Sequence, residues 1–261
     1  MPIRIRKVFG TPTTNPRKYS TAIRSYRDEN TDPRSVTTTN PAWESISIPK
    51  TINDLHAIYA YDAVCKLEGW SQHYRAGFMV LCRSFRKVAG VNAPQLTLSA
   101  LFVRQQPRTC IVNGRQRVYA LLSPPKGQYN HKESHVDPRD HDASLLATAM
   151  RELTEETGID LKKYRAKISP RTFMIARHNR YDDNGKKEEE LLAYFTAVID
   201  ITDGVLPPVA IDKTELSGYE WIDINSTSLS AEVSLPTSKF LRQLLMQDFT
   251  SLCVNKWIDV V

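Results

Sequence analysis

Between Ala143 and Ile159 the chain reads ASLLATAMRELTEETGI, and Arg151, Glu152, Glu155 and Glu156 fall within six consecutive residues of it. On a helix of about 3.6 residues per turn, Glu152, Glu155 and Glu156 gather on one stripe, while Leu146, Ala149, Met150 and Leu153 form another. Carboxylates this close repel one another, by roughly 0.2–0.5 kcal/mol per i,i+4 pair even when solvated. A compensating positive charge is expected. A hard divalent cation such as Mg2+, typically held by a few carboxylates and substrate phosphates, would supply it. Arg151, four residues before Glu155, is placed to orient or neutralise one of the acids. A solvated charged face is the commoner meaning of an isolated E-x-x-E-E. Gly158 offers the left-handed residue that ends a helix, and Ile159 the apolar contact that accompanies it.

The segment Arg151 to Ile159, RELTEETGI, resembles the second half of the Nudix box, G-x5-E-x7-R-E-U-x-E-E-x-G-U with U aliphatic, and matches every fixed position of that half. The first half departs from the pattern. Gly127 and Glu133 keep the G-x5-E spacing, but seventeen residues instead of seven separate Glu133 from Arg151. Counting back from Arg151 puts Ala143 at the expected Glu, with Asp142 one place off. An insertion, HVDPRDHD, in the loop before the helix accounts for this and leaves the role of Glu133 open.

The loop Ser123-Pro124-Pro125-Lys126-Gly127 resembles the P-K-G opening found in mRNA-decapping Nudix enzymes and in some diadenosine tetraphosphate hydrolases. An isolated P-K-G is also an ordinary turn. The resemblance implies a metal shell of Glu152, Glu155 and Glu156 joined by the carbonyl near Gly127, with Lys126 meeting a phosphate. Glu152 would be ligand or base, and Arg151 would orient an acid. One further Glu is expected from Glu188, Glu189 and Glu190, with Glu189 taken as the candidate ligand. The cofactor implied is Mg2+ or Mn2+. The implied reaction is cleavage of a pyrophosphate bond in a nucleoside diphosphate linked to another moiety, with the cap of RNA as the leading substrate. A small dinucleoside polyphosphate, a nucleotide sugar or a nucleoside triphosphate is the alternative. A catalytically impaired Nudix-fold binding or regulatory module is the third reading.

The elements that must position these residues follow from the apolar pattern. Ile52, Leu55, Tyr59, Ala63 and Leu67 have helical spacing, with Thr51 as N-cap and Gly69 as stop. Tyr74 to Arg83 is a short apolar run that reads as a buried strand, and Leu96 to Arg104 and Arg117 to Leu122 as further strands. After the acidic helix, Thr172 to Ile175 reads as a strand and Asn184-Gly185 as an exposed hairpin turn. Leu191 to Ile199, LLAYFTAVI, is near-continuously apolar and therefore central. Glu215 to Ile224 resembles a late family segment preceding a final strand. A last helix with Phe240, Leu241, Leu244, Leu245 and Phe249 on its buried stripe is capped by Thr237 or Ser238. The order fits an alpha/beta/alpha Nudix sandwich with a mixed sheet. Residues 51–261 are assigned to that domain, preceded by a basic, flexible extension over 1–50 with a possible strand at Ile3 to Val8.

Composition bounds the rest. The chain of 261 residues, 41% hydrophobic and 25% charged, has room for one large domain. A net charge of +6 suits a polyanionic partner such as nucleotide or capped RNA, or serves solubility alone. Cys65, Cys82, Cys110 and Cys253 form no C-x-x-C pair and read as reduced thiols. The absence of a membrane-length apolar run or a continuous h-region points to an intracellular protein, cytoplasm ahead of nucleus. Oligomeric state is not legible.

Overall fold

The structure is a computed structural model that describes residues 37–38, 46–68, 73–86, 95–112, 115–119, 122–130, 141–170, 174–181, 187–202, 204–223 and 257–260. The expected strand at Ile3 to Val8, most of the 1–50 extension, the Asn184-Gly185 turn, Gly69 and the C-terminal helix lie outside these residues. Its strands are β1 (Thr37–Thr38), β2 (Tyr74–Arg86), β3 (Gln95–Gln105), β4 (Arg108–Val112), β5 (Arg115–Tyr119), β6 (Leu122–Ser123), β7 (Lys126–Gln128), β8 (Lys167–Ile168), β9 (Met174–Tyr181), β10 (Lys187–Asp200), β11 (Leu216–Asp223) and β12 (Ile258–Asp259). Its helices are α1 (Ile52–Ile58), α2 (Tyr61–Glu68) and α3 (Leu145–Thr157).

The main sheet runs β1-β9-β10-β2-β3-β11, with β6 on β3, β7 on β2, β8 on β10 and β12 on β8. The β2–β10 pair is parallel and the others are antiparallel, so the sheet is mixed as expected. The apolar runs of β2 and β10 lie side by side at its centre, and β4 and β5 form a separate hairpin.

The sheet splits where the site is built. β2 pairs with β3 only from Leu81 onward, and its earlier residues Arg75 to Gly77 pair instead with β7. Val103 and Arg104, at the far end of β3, pair with β6. Pro124 and Pro125 therefore carry the chain from one strand to the other across the opening. Gly77 permits the close approach: a Cβ there would lie 2.2 Å from the Pro125 carbonyl oxygen, which accepts from the Phe78 amide at 3.1 Å.

α3 covers one face of the sheet. Leu145, Leu146, Ala149 and Leu153 are buried against Ala76, Phe78, Val80, Ala193, Phe195 and Ala197, and full burial of each large apolar side chain stabilises by roughly 1.5–3 kcal/mol. Ser144 caps the helix, accepting from the Ala147 amide at 3.1 Å, and Gly158 ends it with φ 70°. Ile159 is fully buried beyond that stop. The helix over Thr51 to Leu67 proves to be two. Thr51 and Asp54 form a capping box at the start of α1, but the chain leaves helical geometry at Tyr59. Its ring meets Phe195 edge to face at 4.9 Å, and its carbonyl accepts from the Leu145 amide at 2.9 Å. That carbonyl serves α3 instead of continuing its own helix.

Candidate active site

The acidic stripe of α3 faces the P-K-G segment. Glu156 is 4% exposed, and its Oε2 accepts from the Lys126 amide at 3.0 Å. Glu152 lies against Gly127 so closely that a Cβ on the glycine would fall 1.8–2.0 Å from the carboxylate atoms. Only glycine leaves that space open. Lys126 Nζ donates to Ser123 Oγ at 3.1 Å, so the lysine is bound within the loop that carries it.

Arg151 organises the acids. Its Nη1 donates to Glu152 Oε1 at 2.7 Å and to Glu155 Oε2 at 2.8 Å. Nη2 donates to the Gln128 carbonyl at 2.9 Å. Nε and Nη2 together grip the Asp142 carboxylate at 3.1 and 2.9 Å. The expectation that Arg151 orients an acid understates the arrangement, because three carboxylates share one guanidinium.

Burial decides the electrostatics. The Glu156 carboxyl is pushed up from 4.5 to about 7 by burial, with repulsion from Glu152 and Glu215 adding and Lys126 opposing. Glu152 is also raised by burial, against the pull of Arg151. Lys126 is shifted down by the same desolvation. The cluster is short of positive charge. Its donors are all carboxylate oxygens, which fits a hard divalent cation. Among the described residues no three acid, imidazole or thiol groups already converge as a cage, because Arg151, the Lys126 amide and Arg75 engage the acids.

Of the three glutamates at the start of β10, Glu190 is the one whose side chain is described. It is 4% exposed and lies 2.5 Å from Arg75 Nε, within the electrostatic reach of Lys126. The side chains of Glu188 and Glu189 lie outside the described residues, as does Glu133. Sequence reasoning passed over Arg75 and Glu215 and treated Asp142 only as an out-of-register residue. Nothing in the strand pattern marks Arg75, whereas Glu215 stands in the segment already singled out for family likeness.

A family model for the NUDIX domain matches residues 96–244, more than half of the chain. The chain belongs to the Nudix family. Members are pyrophosphohydrolases of phosphorus-containing acid anhydrides, and this chain is an enzyme of that kind. The match begins after β2, yet the structure puts β2 at the centre of the Nudix sheet.

Comparison with curated proteins finds no match. Among solved structures, a C. elegans Ap4A hydrolase in a binary complex is similar at 19% identity and TM-score 0.40, covering 67% of this chain and 96% of that one. The NUDIX domain of Shewanella oneidensis NrtR, complexed with ADP ribose, has 16% identity and TM-score 0.42, covering 75% and 97%. An E. coli dihydroneopterin triphosphate pyrophosphohydrolase has 11% identity and TM-score 0.39, covering 66% and 94%. No helix of the described residues is long and apolar enough to cross a membrane.

Proposed function

We propose that this Nudix enzyme cleaves the pyrophosphate bond of a nucleoside diphosphate linked to a second moiety, with Mg2+ or Mn2+ held by Glu152, Glu155 and Glu156 and by the backbone near Gly127. The observation that carries the reading is the contact between α3 and the P-K-G loop, where two buried carboxyls, both raised by burial despite Arg151 and Lys126 beside them, meet the backbone of Lys126 and Gly127. Glu190, buried and paired with Arg75 beside Lys126, is proposed as the carboxylate that β10 adds, with Glu189 as the alternative.

The bound ion would neutralise phosphate charge and lower the pKa of water. The chain's own residues do the rest. The Lys126 amide fixes Glu156, and Arg151 fixes Glu152 through Oε1. Glu152 Oε2 is assigned to take the proton from the attacking water, its basicity increased by burial. Lys126, now bonded to Ser123, and Arg75, now paired with Glu190, are the cations assigned to meet the substrate's phosphates.

The substrate assigned is the triphosphate bridge of capped RNA, on the basis of the P-K-G loop and the chain's net charge of +6. A small dinucleoside polyphosphate or nucleotide sugar is the competing outcome, separated by a turnover panel of capped RNA, diadenosine polyphosphates, ADP-ribose and nucleoside triphosphates. For the site, Glu156→Gln preserves volume and removes one charge. It should lower turnover at least a hundredfold and weaken Mn2+ binding with the fold retained. Glu190→Gln should cost more than Glu189→Gln. Near wild-type turnover of Glu156→Gln at saturating Mg2+ would sink the ligand assignment.

A further inference from the structure

Asp142 sits where the inserted segment returns to the catalytic helix, and its contacts join the two. Its Oδ2 accepts from the Asn130 amide at 2.9 Å and from Thr148 Oγ1, one turn into α3, at 3.0 Å. The Asp142 amide donates to the Asn130 carbonyl at 3.1 Å, and its carbonyl accepts from Tyr129 Oη at 2.8 Å. Asn130 and Asp142 are thus held together as one closed pair. Both oxygens of the same carboxylate also take the Arg151 fork. The side chain of Asp142 is 5% exposed, so this ion pair is shielded and geometrically fixed.

Resting on the hydrolase reading, we infer that Asp142 is a positioning residue for the reaction: it holds Arg151 in the orientation from which Nη1 sets Glu152 and Glu155, and it supplies the acid that the interrupted box lacks in register. Three observations lead to it. Arg151 has rotatable bonds enough to point its fork elsewhere, and a bidentate carboxylate removes that freedom. Asp142 is anchored independently by a backbone amide and a hydroxyl, so it is itself immobile. The Asn130–Asp142 latch closes the loop at its base, which lets the segment between grow without moving the helix. Loop length by itself adds little, since each doubling costs only about 0.6 kcal/mol. On this account the residues between the two latch positions are dispensable for chemistry.

The test is a double-mutant cycle with two readouts, steady-state turnover and Mn2+ binding followed by electron paramagnetic resonance. Asp142→Asn removes the charge and half of the fork while keeping volume. It should weaken Mn2+ binding about tenfold and lower kcat ten- to a hundredfold, with KM changed less than threefold. Arg151→Gln should do at least as much, and the double variant should be no worse than Arg151→Gln alone, because Asp142 acts through Arg151. Asp142→Glu should recover part of the loss. Replacing residues 132–140 by two glycines, with the latch kept, should leave kcat and Mn2+ affinity within threefold of wild type. Additive losses in the double variant, or a replacement as damaging as Glu156→Gln, would overturn the inference alone. A wild-type chain that neither binds Mn2+ nor turns over any pyrophosphate would overturn the hydrolase reading, and this inference with it.

Discussion

At the scale of single residues, the site is defined by where burial has made charge costly. A carboxyl raised from 4.5 to about 7 is disfavoured in its charged form inside the fold. Between those values the folded state binds more protons than the unfolded, so stability falls as pH rises. The contribution is therefore fully present below about pH 4.5 and is lost through about pH 7. Each tenfold change in proton affinity is worth roughly 1.4 kcal/mol, so the whole contribution is on the order of 3 kcal/mol. Metal-free wild type should thus lose stability relative to Glu156→Gln between pH 5 and pH 8, and Mg2+ should restore it at the upper end. Urea unfolding in EDTA at the two pH values measures this. Parallel pH dependence in the two proteins would show that Glu156 carries no such penalty. The same physics explains what sequence could say of these residues. Spacing placed Glu152, Glu155 and Glu156 on one face, but it gave no sign that Glu155 stays largely exposed while the other two are buried. Asp142 was visible only as a residue out of register, because its partner contacts depend on how the insertion closes.

At the scale of elements, periodicity identified the strong segments. α3, β2, β3 and β10 are long, and their apolar runs admit few alternatives. The misread element was the helix that opens the 51–261 domain, where apolar spacing continued through Tyr59 although the backbone did not. The cause is tertiary: Tyr59 turns its carbonyl to the first amide of α3, a contact that no local pattern encodes. The split of β2 between β3 and β7 was equally silent, since a single apolar strand does not show that its two ends have different neighbours. The α1–α3 contact yields a prediction. Ser144 is fully buried, caps the Ala147 amide and meets His56 Nδ1 at 2.8 Å. Ser144→Ala loses a cap of about 1 kcal/mol and leaves a half-buried imidazole short of a partner, at up to about 1 kcal/mol more. Chemical denaturation should show a loss of up to roughly 2 kcal/mol, with kcat at saturating metal within threefold of wild type. A loss below 0.5 kcal/mol, on the order of a typical surface substitution, would mean that α1 does not brace the catalytic helix.

At the scale of the whole molecule, the charge is unevenly placed along the chain. Residues 1–36 hold eight Lys and Arg against three Asp and Glu, which is +5 of the net +6, so the remainder is close to neutral. If the substrate is capped RNA, that segment is where phosphates along the chain would be met. Each neutralised phosphate releases a counterion, and the logarithm of affinity falls with the logarithm of salt by about 0.7 per phosphate on a single strand. A cap analogue or a dinucleoside polyphosphate has too few phosphates to produce a steep slope. Capped RNA of a few tens of nucleotides should therefore bind the full chain with a slope of several, and removal of residues 1–36, which leaves β1 in place on β9, should make it shallow. Hydrolysis of a small pyrophosphate substrate should change less than threefold over the same truncation, because the acids, Arg151 and the P-K-G loop all lie within the retained fold. Measuring binding and turnover across a salt series for both proteins separates the substrates. Equal affinity and equally shallow slopes for cap analogue and long capped RNA would exclude the RNA reading and leave a small nucleotide as the substrate of the same site.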